Sequence, residues 1–398
     1  MQHFNKIIDI RYKIVFSAVA ALLFTVSSLA QSRRNVEVLS FNEIKTTGMP
    51  YKAWPTIAKI NGNKIAITYS SRLSHIDPLG KVEVIQSDSG LKNWSVPVTV
   101  IDTELDDRDS GVVFTSKGTL IASTFSSRAF EDIYKNTVTD CNLPRKQSFS
   151  GNLMTSACMN IKKWNEQIER INNSHPAPEV ASYLVRSANG GNSWGEKIKA
   201  PVNAPHGPVN LINGNLIYAG KTYPTGPNPK IKIYSSSDDG LTWQGGASIE
   251  ARIGDKASLY FEPHVVQCAN ENLVLHLRNS NPVNNNEILQ SLSSDNGRTW
   301  SIPQPIGISG FPPHLIKTKK DSLLLTYGRR SNPQEIVARE SFDCGEKWSD
   351  EMVINSIKNS ADFGYPSTVE IKPGLYATAW YAANKDASRS ELFITQWR

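Results

Sequence analysis

The segment SSDDGLTW, from Ser236 to Trp243, is one copy of a motif that recurs along the chain. The pattern returns in SSDNGRTW (Ser293 to Trp300) and SFDCGEKW (Ser341 to Trp348), and less regularly in SDSGLKNW (Ser87 to Trp94) and SANGGNSW (Ser187 to Trp194). The Asp side chain can accept hydrogen bonds from nearby backbone N–H groups, the Gly can take a positive φ, and the Trp can pack beneath the turn. Each copy therefore predicts a tight turn, and five copies predict a repeated architecture.

The spacing of the copies predicts the repeating unit. Copies begin at residues 187, 236, 293 and 341, which lie 49, 57 and 48 residues apart, close to the roughly 40 to 50 residues of a four-stranded propeller blade. The longer interval from 87 to 187 holds an insertion or a blade whose turn has decayed. Six short apolar or alternating runs are typical of strands; they are Lys64 to Tyr69, Thr119 to Thr124, Asn215 to Ala219, Leu273 to Leu277, Ser322 to Tyr327 and Leu375 to Trp380. We therefore predict an all-β fold, a six-bladed β-propeller of four-stranded antiparallel blades.

Residues 131–180 interrupt the repeat. Within them CMNIKKWNEQIERI (Cys158 to Ile171) places its large apolar residues three and four positions apart, which predicts an amphipathic helix inserted in blade two. Such a helix either lies on the face of the propeller or forms a lid over a site.

The first thirty residues are typical of a secretory signal peptide. Lys6, Arg11 and Lys13 precede an apolar run from Ile14 to Val26, and small residues stand before Gln31. We expect a secreted or periplasmic protein in which residues 31–398 form a single domain, with no membrane anchor after cleavage. The 398-residue chain has a formal charge of +6 and no dense Lys/Arg stretch, so nucleic acid is not an expected partner. A monomer is expected.

Four cysteines in an exported chain suggest disulfides. Cys141 and Cys158 both lie in the insertion and are candidates for a bridge. Cys268 and Cys344 lie in different blades and are expected to be buried thiols. No Cys/His cluster has the spacing of a metal site, so neither a metal nor an organic cofactor is expected.

Repeated turns of this kind after a signal peptide resemble those of the Asp-box (BNR-repeat) sialidases, six-bladed propellers that act as exo-glycosidases. The resemblance covers nearly the whole mature chain, although other propellers and non-catalytic binding proteins carry the same turns. It implies that a neutral tyrosine, activated by a glutamate, attacks the anomeric carbon of sialic acid, because the substrate carboxylate repels an anionic nucleophile. Arginines hold that carboxylate, and an acid protonates the leaving oxygen.

Three segments resemble parts of this machinery. The segment DFGYPS resembles the family's tyrosine segment, which implies that Tyr365 is the nucleophile. Glu262 stands 16 residues before Arg278, as the family's glutamate and second arginine do, which implies a base and a carboxylate ligand. Arg330, with Arg329 beside it, resembles the third arginine.

Blade one departs from the family pattern. Sialidases have an Arg two residues before a Pro, whereas the segment YKAWP that begins at Tyr51 has Ala53 there. Lys52 supplies a point charge but not a bidentate fork. Arg108 in blade two is a candidate for the missing cation.

The proton donor is also open. Asp77 has the spacing of the family's acid, and His75 can do the same work near neutral pH. His206 opens blade three as a possible substrate contact, with His264 and His314 as weaker ones. The sequence leaves three functions: sialic acid hydrolysis, hydrolysis or lyase cleavage of another acidic or neutral terminal sugar, and glycan binding without catalysis.

Overall fold

The structure, a computed structural model, describes residues 33–138, 155, 157–223 and 229–398. The predicted signal peptide and the Cys141 half of the predicted insertion disulfide lie outside these residues. Among the helices that the structure describes, none has the length and apolar character needed to span a bilayer.

Strands account for most of the regular structure. The strands of the first half are β1 (Arg33–Asn35), β2 (Val38–Ile44), β3 (Tyr51–Lys59), β4 (Lys64–Arg72), β5 (Lys81–Asp88), β6 (Val98–Ile101), β7 (Asp106–Phe114), β8 (Leu120–Ser127), β9 (Ser182–Ser187), β10 (Ile198–Lys199), β11 (Val209–Asn210), β12 (Leu216–Lys221) and β13 (Ile231–Ser236). Those of the second half are β14 (Gln244–Ser248), β15 (Tyr260–Gln267), β16 (Leu273–Asn279), β17 (Glu287–Ser293), β18 (Gln304–Ser309), β19 (His314–Lys317), β20 (Leu323–Arg329), β21 (Glu335–Ser341), β22 (Glu351–Ser356), β23 (Phe363–Lys372), β24 (Leu375–Ala383) and β25 (Ser390–Trp397). The helices are α1 (Phe130–Val138) and α2 (Ile161–Asn173), with short 3₁₀ turns at Asn61–Asn63 and Ala257–Leu259.

These strands form five sheets in an all-β, propeller-like arrangement. Three sheets have four strands, in the orders β10-β9-β8-β7, β11-β12-β13-β14 and β15-β16-β17-β18. A fourth has five strands, because the short β1 pairs in parallel with β22 beside β21, β20 and β19. The fifth has eight strands, in the order β23-β24-β25-β3-β4-β5-β6 with β2 also paired to β25. The uniform four-stranded sheets that the repeat predicts are thus observed in three cases and extended in two.

The hydrophobic core is divided among the spaces between neighbouring strand groups. Val84 of β5 packs in one cluster with Val112 of β7 and Val185 of β9. Ile217 of β12 and Leu275 of β16 share another cluster. Burial between sheets leaves the first strand of each group beside the central axis, where polar side chains can be displayed.

The repeated turns form at the predicted places, each joining the third strand of a group to the fourth. In the copy between β13 and β14, Ser236 Oγ donates to Asp238 Oδ1 (2.8 Å) and accepts from the N–H of Gly240 (2.9 Å). Asp238 Oδ1 also accepts from the N–H of Thr242 (2.9 Å), four residues further along the chain. Gly240 has a φ of +80°. The turns therefore lie toward the outer strands, away from the axis.

Helix α2 lies in the stretch where the sequence predicts a helix, between β8 and β9. Its buried Trp164 and Ile171 pack with Leu105 and Phe130, and Ile76 is packed against the same cluster. The helix therefore supports the loop that carries Ile76.

The expectation of two buried thiols in the second half of the chain is wrong. Cys268 and Cys344 form a disulfide across 76 residues of sequence, with their Cα atoms 5.8 Å apart. Cys344 lies in the repeated turn after β21, and this turn reaches the end of β15 in the neighbouring sheet, where Cys268 is. Sequence position alone did not reveal that contact.

Candidate active site

Four of the axial strands share one backbone irregularity near their start. The pairing register shifts within β3, β7, β15 and β23. At each shift one non-glycine residue has a positive φ; these bulge residues are Trp54 (53°), Asp109 (47°), Glu262 (51°) and Tyr365 (50°). A positive φ is uncommon for such residues, and a bulge redirects the side chain that it carries. The same kind of β-bulge therefore redirects one side chain in each of the four strands.

Tyr365 and Glu262 form the central pair. The Tyr365 hydroxyl donates a hydrogen bond of 2.6 Å to Glu262 Oε1, and Tyr365 is buried. Arg278 Nη1 lies 3.3 and 3.4 Å from the two carboxylate oxygens of Glu262. Burial, followed by the negative charges of Glu262 and Asp109, raises the pKa of Tyr365 well above its ordinary value. The tyrosine therefore holds its proton in the resting site, with a carboxylate in contact to receive it.

The guanidinium groups of Arg278 and Arg330 both lie against the ring of Phe311. The Cζ atoms of Arg278 and Arg330 lie 3.5 and 4.6 Å from the ring centroid of Phe311. Both arginine side chains are about a quarter exposed, at 24% and 25%. Their Nε atoms are buried and have no hydrogen-bond partner among the residues that the structure describes. Unused donors of this kind suit an anionic ligand.

Asp362 connects one of these arginines to a histidine. Its carboxylate accepts from Arg330 Nη1 (2.9 Å), Tyr51 Oη (2.7 Å) and Tyr381 Oη (2.8 Å). His75 Nδ1 lies 2.8 Å from Asp362 Oδ2, which requires a proton on Nδ1. Burial opposes ionisation of Asp362, but the hydrogen bond from His75 and the charge of Arg330 hold its pKa well below the ordinary value. Burial lowers the pKa of His75 despite this carboxylate.

Arg108 reaches the site over the face of Trp54. Its Cζ atom lies 4.5 Å from the Trp54 ring centroid, and Nη1 donates to the His75 carbonyl (3.0 Å) and to Asp106 Oδ2 (3.2 Å). The rings of Trp54 and Tyr365 are 6.3 Å apart. Ala53 stands at the blade-one position for which the resemblance implies an arginine, and a cation from blade two lies against the neighbouring indole of Trp54.

Asp109 is the bulge residue of β7, and the sequence patterns predict no role for it. Its side chain is half-buried, and its carboxylate makes no hydrogen bond with any residue in the described ranges. Burial raises the pKa of Asp109 to about 7, with the charge of Arg108 opposing and that of Glu262 adding to the shift. Asp109 therefore lies near enough to Glu262 for the two charges to interact.

Asp77 lies in a different setting. It is buried, with one oxygen accepting from the N–H of Leu73 and the other from the N–H of Leu79 (3.1 Å). Burial raises the pKa of Asp77 to about 6. The carboxylate therefore holds the shape of the loop that carries His75.

Two predicted substrate ligands are engaged in ion pairs. Arg329 donates to Glu351 (2.9 Å) and to Glu335. Lys52 is 3% exposed and bonds to Glu391 at 3.2 Å. Their contacts are with these carboxylates and not with the Tyr365–Glu262 pair.

His206, His264 and His314 form a layer of imidazoles, hereafter the histidine layer. Their ring centroids are 4.6 to 5.4 Å apart, and all three are buried. His264 lies two residues beyond Glu262 on β15, and His314 bonds to Ser367 (3.1 Å), two residues beyond Tyr365 on β23. Burial lowers the pKa of each. His206 is therefore part of a neutral floor beneath the site.

The backbones of Gly111 and Gly207 lie in close contact next to the histidine layer. A Cβ on Gly111 would stand 2.3 Å from the N atom of Gly207, so β7 and the start of the next strand group can touch only without a side chain there.

Across the described ranges, no group of three or more His, Cys, Asp or Glu residues is arranged to hold a metal ion.

Sequence reasoning missed Asp109, Trp54 and Asp362 as members of the cluster. A signal existed for the bulges: Trp54, Glu262 and Tyr365 each precede a proline at the start of an axial strand, and a following proline restricts the backbone. Asp109 precedes a serine, and only the strand register identifies it as the equivalent position.

Comparison with known proteins identifies the fold. The model of the BNR repeat-like domain family matches residues 76–377. A protein of unknown function from Dyadobacter fermentans has a similar structure, with 18% identity and a TM-score of 0.70 over 92% of this chain and 99% of that one. The NanB sialidase of Streptococcus pneumoniae is also similar, with 16% identity and a TM-score of 0.62 over 89% and 70% of the two chains. A leech intramolecular trans-sialidase has 13% identity and a TM-score of 0.59 over 90% and 70%. No curated protein sequence matches the chain.

Proposed function

The chain belongs to the BNR repeat-like domain family, and from that membership and the chemistry of its site we propose that it is an exo-acting glycoside hydrolase releasing a terminal acidic sugar from glycans. Sialic acid is the first candidate. The observation that carries the proposal is the 2.6 Å hydrogen bond from Tyr365 to Glu262 beside a set of partly unpaired arginines.

The pair suits nucleophilic attack on a carbon that already bears a carboxylate. Tyr365 attacks the anomeric carbon as its proton passes to Glu262, so no anion approaches the substrate before bond formation. An acid protonates the leaving oxygen, and a tyrosyl–sugar intermediate forms. Water then attacks the same carbon, and Glu262 returns the proton to Tyr365. Two displacements retain the anomeric configuration.

The arginines suit the substrate carboxylate. Arg278 and Arg330 have buried Nε donors without partners among the described residues, and Arg108 brings a third guanidinium over Trp54. Planar guanidinium groups pair with carboxylates through two parallel hydrogen bonds. We assign these three residues to the acidic group of the sugar.

A second candidate substrate follows from blade one. Ala53 stands where the resemblance implies an arginine, and Arg108 lies against the neighbouring Trp54 instead. This change at the carboxylate-binding position makes another acidic terminal sugar, such as a uronide, the second candidate substrate.

The test is hydrolysis of aryl glycosides by the wild-type protein and by Tyr365→Phe. We expect turnover of an aryl sialoside or an aryl uronide, with no turnover of an aryl deoxyhexoside, and a loss of at least about 10³-fold in Tyr365→Phe. Wild-type turnover in Tyr365→Phe would refute the nucleophile. Glycan binding without turnover of any substrate by the wild-type protein would instead support a binding module.

We also propose that the fold has six blades and that the protein is exported. The eight-stranded sheet contains two antiparallel groups of four, β3 to β6 and β23 to β25 with β2, which are joined by the single residue pair Ser390–Tyr51. Counting these groups separately gives six groups of four strands, five of which carry a copy of the repeated turn. The Cys268–Cys344 disulfide is consistent with an oxidising compartment.

A further inference from the structure

We propose that Asp109 is the proton donor of this glycosidase, in the place that the family resemblance gives to Asp77. The inference rests on the proposed function and names a catalytic group at the same site.

Backbone geometry supports this role. Asp109 occupies in β7 the bulge position that Glu262 occupies in β15 and Tyr365 occupies in β23, with nearly the same φ. In β15 and β23 this bulge position carries the proposed base and nucleophile, and in β7 it carries a carboxyl group. The charge of Glu262 acts on Asp109, and the charge of Asp109 acts on Tyr365, which is consistent with this shared position.

Bonding also distinguishes Asp109 from the other carboxyl groups nearby. Asp106 pairs with Arg72 at 2.7 Å, Asp107 accepts from Thr103 Oγ1 at 3.0 Å, and Asp362 holds three donors besides His75. Asp109 is half-buried and makes no hydrogen bond within the described part of the chain. A carboxyl group that no protein donor occupies is available to a ligand.

Burial keeps the carboxyl group of Asp109 protonated near neutral pH. Burial is the main cause of its raised pKa of about 7. The charges of Arg108 and Arg72 oppose this rise in pKa, and those of Glu262 and Asp106 add to it. Asp109 in turn raises the pKa of Tyr365. An acid that is protonated at the working pH can give its proton to a leaving oxygen.

His75 suits a different role. Its Nδ1 hydrogen is directed to Asp362, and burial together with the nearby Arg108 and Arg72 lowers its pKa. At neutral pH the imidazole is uncharged and fixed in one tautomer. Asp77 is likewise committed, because the N–H groups of Leu73 and Leu79 occupy both of its oxygens.

The reaction balances with Asp109 in this role. In the first displacement the Asp109 carboxyl proton moves to the glycosidic oxygen as that C–O bond breaks, and the bond from Tyr365 Oη to the anomeric carbon forms. In the second, the Asp109 carboxylate removes a proton from the attacking water while the bond to Tyr365 breaks. Each group ends in its starting protonation state.

The experiment compares Asp109→Asn with the matched variant Asp77→Asn, using aryl glycosides of the acidic sugar with good and poor leaving groups. We expect Asp109→Asn to lose about 10²- to 10⁴-fold in kcat/KM on the poor leaving group and less than about tenfold on the good one. Asp77→Asn should show equal effects on both substrates, together with a lower Tm. The basic limb of the kcat/KM pH profile, near pH 7, should disappear in Asp109→Asn on the good leaving group.

Three outcomes overturn the inference. They are equal losses of Asp109→Asn on both substrates, a leaving-group-dependent loss in Asp77→Asn or His75→Asn instead, and a basic limb that persists in Asp109→Asn. Should Asp109→Asn fail to fold, a wild-type carboxyl infrared band that does not titrate near pH 7 overturns it. Failure of the proposed function has a different signature, which is the absence of turnover of every aryl glycoside by the wild-type protein, and wild-type turnover in Tyr365→Phe refutes only the nucleophile.

Discussion

Replacing Glu262 with Gln removes the proton acceptor of Tyr365 while keeping the size of the side chain. An ordinary tyrosine has a pKa of about 10, so ionising it at pH 7 costs about 4 kcal/mol at 1.36 kcal/mol per unit. Burial in this site adds to that cost. Glu262 offsets it by accepting the proton across 2.6 Å as attack proceeds. Because glutamine cannot accept a proton, we expect kcat to fall by about 10³-fold, within the range found for general bases.

The same substitution has a separable effect on binding. Glu262 lies 3.3 Å from Arg278 and competes with the substrate anion for that guanidinium. Glu262→Gln should therefore leave KM for an acidic aryl glycoside unchanged or lower. The measurement is initial-rate kinetics beside Glu250→Gln, a control whose carboxylate is 57% exposed and pairs with Lys230. A kcat within tenfold of wild type, or a loss confined to KM, would refute the reasoning.

Three further outcomes are expected. Arg278→Lys keeps the charge but loses the planar fork, so KM for acidic aryl glycosides should rise about tenfold or more, and an unchanged KM contradicts the assignment. Gly111→Ala places a Cβ 2.3 Å from Gly207 N and should lower the free energy of unfolding by about 1–3 kcal/mol, or Tm by about 1–4 °C for roughly 370 residues; Gly195→Ala, whose Cβ would meet Arg186 O at 3.5 Å, is the control, and equal Tm values refute the contact. In the histidine layer the folded pKa values lie below the unfolded value of about 6.5, so its contribution is present above pH 6.5 and is lost as the pH falls toward the folded values, by up to about 4 kcal/mol per pH unit; a Tm that stays constant from pH 7 to 5 rules this out.

The sequence predicts the repeated turns and the contact between Glu262 and Arg278 well because both have short-range signatures. The repeated Ser, Asp, Gly and Trp positions determine local hydrogen bonds such as those of Asp238. Glu262 and Arg278 stand opposite each other near the open end of one hairpin, so their spacing of 16 residues carries the geometry. Local pattern was sufficient where the contact is made within one hairpin.

Spacing failed where backbone groups compete for a side chain. Asp77 has the expected separation, yet the N–H groups of Leu73 and Leu79 bind its carboxylate. Asp109 becomes equivalent to Glu262 through a bulge that strand pairing alone reveals. The Asp77 contacts depend on the local fold of its loop and the position of Asp109 depends on strand register, and composition and periodicity specify neither.

The junction between β25 and β3 has a consequence for when the candidate site can form. Tyr51 and Asp362 are 311 residues apart and bond at 2.7 Å across it. A chain made from its N-terminus displays Trp54 and His75 long before Asp362, Tyr365 and the pairing strand Ser390–Trp397 exist. The candidate site therefore cannot be complete until the last strand has been synthesised, and a chain that ends before Asp362 lacks the partner of Tyr51 and His75 altogether.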